Sequence, residues 1–146
     1  MGVAQIALVQ EKKVMQHELL TEAHASLTEA LTRCRRIQFL EIEADLLLSM
    51  ACWHNAVGER GEAWEYARES LAVADRAEYR LQQADIQNMM AQMALEAQDQ
   101  EAAYEYAQAA YHAALCDGPP YCYKPALERA EQLLRQVRNL RGEQEE

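Results

Sequence analysis

Shifted by forty residues, the sequence falls back on itself. Ala23, Ala63 and Ala103 coincide, as do Leu31, Leu71 and Tyr111. Ala30, Ser70 and Ala110 align, and so do Cys34, Ala74 and Ala114. Glu43-Ala44-Asp45 lies over Gln83-Ala84-Asp85, Phe39 over Tyr79 and Ala51 over Ala91, with no gap. A fixed period of this length marks a chain built of stacked units, each unable to bury its apolar face alone. The matched positions are small or apolar, as expected where helices approach closely.

Each unit reads as two helices. Leu40, Ala44, Leu47, Leu48, Ala51 and Val57 recur at helical spacing. Gly58 and Gly61 punctuate the chain, and Ala63, Tyr66, Ala67, Leu71 and Ala74 form the partner stripe. The next unit repeats this with Leu81, Ala84, Met90, Ala91 and Ala94, a polar turn at Gln98-Asp99-Gln100, then Ala103, Tyr106, Ala107 and Ala110. Connections this short make consecutive helices antiparallel neighbours. Ala, Glu, Leu, Arg and Lys make up 76 of the 146 residues, whereas Val, Ile and Thr number only 13. That balance excludes a sheet-dominated fold.

The expected fold is all-α: one domain over 1–146, a right-handed superhelical solenoid of antiparallel hairpins. Residues 3–37 read as a degenerate first hairpin, with a weak helix over 3–16 and a second over 18–37. The second hairpin covers 38–77 and the third 78–116. A Gly/Pro loop follows at 117–124, where Asp117-Gly118-Pro119-Pro120 stops the preceding helix. A capping helix over 125–141 starts at Pro125 and carries Ala126, Leu127, Ala130, Leu133, Leu134, Val137 and Leu140. Glu128 and Glu131 near its start, and Arg135, Arg138 and Arg141 near its end, complement the helix dipole.

Ala44, Leu47, Met50-Ala51, Gly58, Ala63 and Ser70-Leu71 resemble the tetratricopeptide (TPR) signature. The second copy keeps Ala84, Met90-Ala91, Ala103 and Ala110, with Gln98 where the family prefers Gly. The run from Cys116 to Glu128 is similar to the close of the C-terminal TPR sensor arrays of bacterial STAND-type signalling ATPases. The resemblance implies a partner-binding part of a signalling system. No GxxxxGK[ST] loop is present, so it does not imply the ATPase itself. Chaperone-tail-binding members clamp a carboxylate with Lys and Asn; Leu48, Cys52, Asp85 and Met89 stand at those places here. The comparison therefore argues against chaperone-tail binding.

The first helices of the hairpins should line a concave surface. By spacing, that surface takes Asp45, Ser49, Cys52 and Asn55 from one unit, and Asp85, Asn88, Met89, Gln92 and Glu96 from the next. These nine are the expected partner-binding residues. They suit a protein or peptide segment carrying basic or hydrogen-bond-donating groups. The function expected is non-catalytic protein–protein interaction, as a sensor or scaffold. A first alternative is homo-oligomerisation through the N-terminal helices, where Ile6, Leu8 and Val9 are apolar. A second is a metal-dependent hydrolase using His112, Cys116 and Cys122, whose spacing fits no standard zinc pattern. No catalytic residue, metal or cofactor is expected, and His17, His24 and His54 read as surface or boundary residues. Trp53 reads as packing between hairpins, and the tyrosines Tyr104, Tyr106, Tyr111, Tyr121 and Tyr123 as a seal under the last helix.

A net charge of −10 argues against nucleic acid and anionic membranes as partners. No apolar run approaches a membrane span, and no basic segment precedes the apolar residues of the N-terminus. Four cysteines without a dense framework read as free thiols, which points to the cytoplasm.

Overall fold

The computed structural model describes residues 2–145. It is all-helical, with six helices and no strand among the described residues. They are α1 (Val3–Ile37), α2 (Leu40–Ala56), α3 (Arg60–Arg76), α4 (Arg80–Glu96), α5 (Gln100–Leu115) and α6 (Lys124–Glu145). No helix is long and apolar enough to cross a membrane.

The helix ends share one construction. Gln38, Gly58, Glu78 and Gln98 all adopt positive φ, at 56°, 86°, 56° and 61°. Each lies twenty residues from the next. Behind each, the following N–H reaches back to the carbonyl five residues earlier: Phe39 to Cys34 (3.3 Å), Glu59 to His54 (2.9 Å), Tyr79 to Ala74 (2.9 Å) and Asp99 to Ala94 (2.9 Å). This left-handed cap satisfies the last carbonyls and reverses the chain within three residues. Glycine occupies it once; the other three sites hold side chains that adopt this conformation at a cost. The period legible as forty in the sequence is thus two helix-plus-turn units of twenty.

Packing follows the expected hairpins. Helix α2 packs on α3, α4 on α5, and α5 on α6, while α3 meets α4 and α1 meets α2. Helices α2 and α4 also touch, as do α4 and α6. Helices α1 and α3 meet only through side chains, Arg35 pairing with Glu69, and so do α3 and α5, whose Trp64 and Tyr106 rings lie 5.8 Å apart. The repeated small residues lie at these seams: Ala44, Ala51, Ala63, Ala74, Ala84, Ala91, Ala103, Ala110 and Ala114 are fully buried. Ser70, in the same register as Ala110, is also fully buried and donates to the Ala44 carbonyl at 2.7 Å, satisfying its hydroxyl across the α2–α3 seam. The larger residues fit between the alanines. Leu133 of α6 sits against Ala91 and Ala107, and Val137 against Ala94 and Ala103.

Two expectations are corrected. Residues 3–37 form one continuous helix, not a degenerate hairpin. The reason is local: nothing in Met15-Gln16-His17-Glu18-Leu19 stops a helix, and the first left-handed cap is Gln38. Without a helix folded back beside it, Ala23 is exposed although its repeat mates Ala63 and Ala103 are buried. Only Leu31 and Cys34 of α1 are buried, and every residue from Val3 to Glu22 is exposed. Secondly, Phe39, Leu40 and Leu81, at the helix starts, are exposed rather than in the core. The last helix begins one residue earlier and runs four residues further than the expected 125–141.

Candidate functional site

Helices α2, α4 and α6 stand in a row and run the same way. Glu41 faces Gln82 and Asn55 faces Glu96 between α2 and α4 (3.5 and 3.1 Å). A second ladder joins α4 to the start of α6. The Tyr123 hydroxyl donates to Asp85 at 3.1 Å, Asn88 Nδ2 donates to the Ala126 carbonyl at 2.9 Å, and Arg129 donates to Gln92 Oε1 at 2.7 Å. Partners at 85, 88 and 92 meet 123, 126 and 129 in ascending order, which fixes α6 parallel to α4.

Between the three helices lies a groove of about 300 Å³. Leu48 and Cys52 line it from α2; Asp85, Asn88, Met89 and Gln92 from α4; Pro125, Ala126 and Arg129 from α6. The four positions singled out by the TPR comparison, Leu48, Cys52, Asp85 and Met89, therefore do converge. Of the nine expected contacts, Cys52, Asp85, Asn88, Met89 and Gln92 share this groove.

The other four lie outside its lining. Asp45 is exposed on α2 beside the groove, near enough for its charge to act on Asp85 and Tyr123. Ser49 is exposed, its hydroxyl turned back on the Asp45 carbonyl at 3.0 Å. Asn55 and Glu96 bond to each other, and Glu96 also accepts from Gln92 at 3.2 Å. Asn88 is corrected as a partner contact: it is only 6% exposed and its amide is spent on α6. Its Oδ1 is buried without a hydrogen-bond partner.

The groove is electrostatically loaded. Partial burial pushes the Asp45 carboxyl up, and the nearby Glu41 charge adds to this. Burial likewise pushes Asp85 up, against the lowering effect of the Tyr123 hydrogen bond, with Asp45 adding to the rise. The Tyr123 hydroxyl is raised first by its own burial and then by the Asp85 charge and hydrogen bond. Two carboxylates therefore sit where ionisation is disfavoured, and a cation from elsewhere would relieve both. Arg129 is a basic residue that α6 itself places in this groove.

The α6 lining was missed because 125–141 read only as a cap. The signal was topological. A helix antiparallel to α5 must run parallel to α4, so its inner face joins the same row.

Outside the groove, His54 is corrected from a surface or boundary residue. It is 7% exposed, and its Nδ1 lies 2.7 Å from Glu59 Oε2. Trp53 packs against the preceding helix as expected, donating to the Leu20 carbonyl at 2.8 Å. The tyrosines divide: Tyr106 and Tyr123 pack against the core, Tyr104 lies under the Arg141 guanidinium at 4.8 Å, and Tyr121 is 74% exposed. His112, Cys116 and Cys122 are not gathered into a possible metal cluster among the described residues.

No family model matches this chain, and no curated protein or solved structure matches it either.

Proposed function

We propose that this chain is a non-catalytic protein-interaction module of the tetratricopeptide type, a right-handed superhelical solenoid whose α2–α4–α6 row forms a concave acidic groove. In this reading it holds a partner segment bearing Arg, Lys or other hydrogen-bond donors, as the sensor or scaffold part of a cytoplasmic signalling system. The observation that carries it is Arg129 on Gln92, beside the disfavoured carboxylate of Asp85. The groove already accommodates one guanidinium, and Asp85 in its lining with Asp45 nearby calls for another. Close backbone approach of α2 to α4 and of α4 to α6, where α1, α3 and α5 meet only through side chains, supports curvature toward the groove. The test is capture of partners from host lysate by wild type and by Asp45→Lys, an exposed substitution that leaves the core alone. A partner retained on wild type and lost on the variant supports groove binding. Equal capture removes the groove from the account.

A second reading, self-association through α1, is favoured by a specific observation. Val3, Ile6, Leu8, Val9, Val14, Met15, Leu19 and Leu20 are all exposed on one helix. Eight large apolar side chains left exposed within eighteen residues of one helix exceed the scattered single residues usual on a monomer. Removing residues 2–17 should abolish any concentration-dependent increase in mass by light scattering. It should leave the unfolding free energy within about 0.5 kcal/mol, since those side chains pack against nothing in the chain. Self-association that survives the truncation contradicts this reading.

A further inference from the structure

At the opposite side of the α2–α3 turn from the groove, three ligand-bearing side chains converge. His54 stands on the last turn of α2, Glu59 immediately precedes α3, and Glu62 lies in its first turn. The left-handed Gly58 returns the chain so that the Glu59 N–H bonds the His54 carbonyl at 2.9 Å. The same reversal sets the imidazole and two carboxylates face to face. One ligand atom from each of His54, Glu59 and Glu62 lies within 4.8 Å of the others.

The imidazole is held in advance. It stacks on Tyr66 (ring centroids 5.1 Å apart, planes 11° apart) and meets Trp53 and His24 at near right angles (4.9 and 5.6 Å). Its Nδ1 is the ring nitrogen turned toward the carboxylates, 2.7 Å from Glu59 Oε2, while Nε2 is buried without a hydrogen-bond partner. Glu59 and Glu62 are exposed and free to adjust, and they open on a cavity of about 390 Å³ also lined by His24.

We propose that His54 Nδ1, Glu59 and Glu62 bind one divalent transition-metal ion of the zinc class. One imidazole and two carboxylates suit a borderline ion at tetrahedral or slightly higher coordination. The donor set excludes preference for calcium or magnesium, which favour all-oxygen sites. Three ligands leave the cavity side, which His24 also lines, open for water. Two ligands of a tetrahedral zinc-class ion lie about 3.3 Å apart, so binding replaces the 2.7 Å hydrogen bond between His54 Nδ1 and Glu59, and the exposed Glu59 side chain draws back to admit the ion. The site joins the two helices of one hairpin and borders α1 through His24. It is separate from the groove, so it stands or falls independently of the function proposed above.

Cobalt(II) is the probe, because its visible spectrum reports ligand type and separates this site from the four free cysteines. Titration of the full chain should saturate at one equivalent, with ligand-field bands and no thiolate charge-transfer band. Zinc should displace the cobalt. Glu59→Gln with Glu62→Gln, both at exposed positions, should weaken binding by about tenfold or more while leaving the far-ultraviolet circular dichroism unchanged. Absence of stoichiometric binding, a thiolate band, or equal affinity in the double variant overturns the proposal.

Discussion

Leu133 is the strongest test of how α6 is held. It is fully buried and faces Ala91 on α4 and Ala107 on α5. Leu133→Ala removes side-chain volume from a site whose walls are alanines on two mutually packed helices. The alanine walls cannot swing in, their backbones are fixed by the α4–α5 seam, and Leu95, Tyr106 and Leu134, packed against the same cluster, can fill only part of the gap. The loss therefore includes most of the cavity contribution, and we expect about 3–4 kcal/mol, in the upper part of the usual range for such truncations. For a chain of this size each kcal/mol lowers the melting temperature by roughly 2–4 °C. Ala107→Leu tests the same socket from the other side. It overfills the seam and should cost about 1–3 kcal/mol on its own. Together the two changes return volume to one place, so the double variant should be more stable than the sum of the single losses implies, by about 1 kcal/mol or more. Urea denaturation followed by circular dichroism measures all four proteins. A Leu133→Ala loss below about 1 kcal/mol, or strict additivity in the double variant, would refute the socket arrangement.

Three other outcomes follow from the geometry. Gln98→Gly and Glu78→Gly relieve exposed left-handed positions and should each stabilise by about 1 kcal/mol, read as a higher urea midpoint; no gain would show that these turns relax at no cost. Gly58→Ala, at φ 86°, should do the reverse by about the same amount. Asp85→Asn keeps an acceptor for the Tyr123 hydroxyl and removes a carboxylate whose pKa folding raises. A raised acid pKa means stability present below the ordinary value of 3.8 and lost as pH rises through the folded value. The variant should therefore exceed wild type in stability at neutral pH, with the advantage vanishing below that range; a wild type more stable at neutrality contradicts the burial argument.

Much of the architecture was legible before the structure, for a physical reason. Alanine at a helix seam cannot be replaced without moving a backbone, so the forty-residue recurrence of Ala44/Ala84, Ala51/Ala91 and Ala63/Ala103 records the packing directly. The hairpin bounds 38–77 and 78–116 follow from it. The turns were less visible. Gln38, Glu78 and Gln98 hold the same conformation as Gly58, but only glycine announces it in sequence. The first hairpin failed because apolar residues at 3–16 and 18–37 suggested two helices, while no breaker separates them. In the groove, spacing brought out Cys52, Asp85, Met89 and Gln92, yet it could not show that Asn88 is consumed by α6 or that Arg129 enters from it. His54 was unreadable for a similar reason. Its partner Glu59 is five residues away, beyond the turn that leads into α3, and only the turn geometry brings them to 2.7 Å.

The central claim is that the α2–α4–α6 groove selects a cationic side chain. The most direct measurement is fluorescence anisotropy of a labelled arginine-containing peptide titrated with wild type, Arg129→Gln, and Asp45→Asn with Asp85→Asn. The account predicts saturable binding that falls with added salt. Removing the resident guanidinium should tighten it, and removing the two carboxylates should weaken it by about tenfold, equivalent to 1.4 kcal/mol. Binding that ignores all three substitutions, or no binding by wild type or Arg129→Gln, would contradict it.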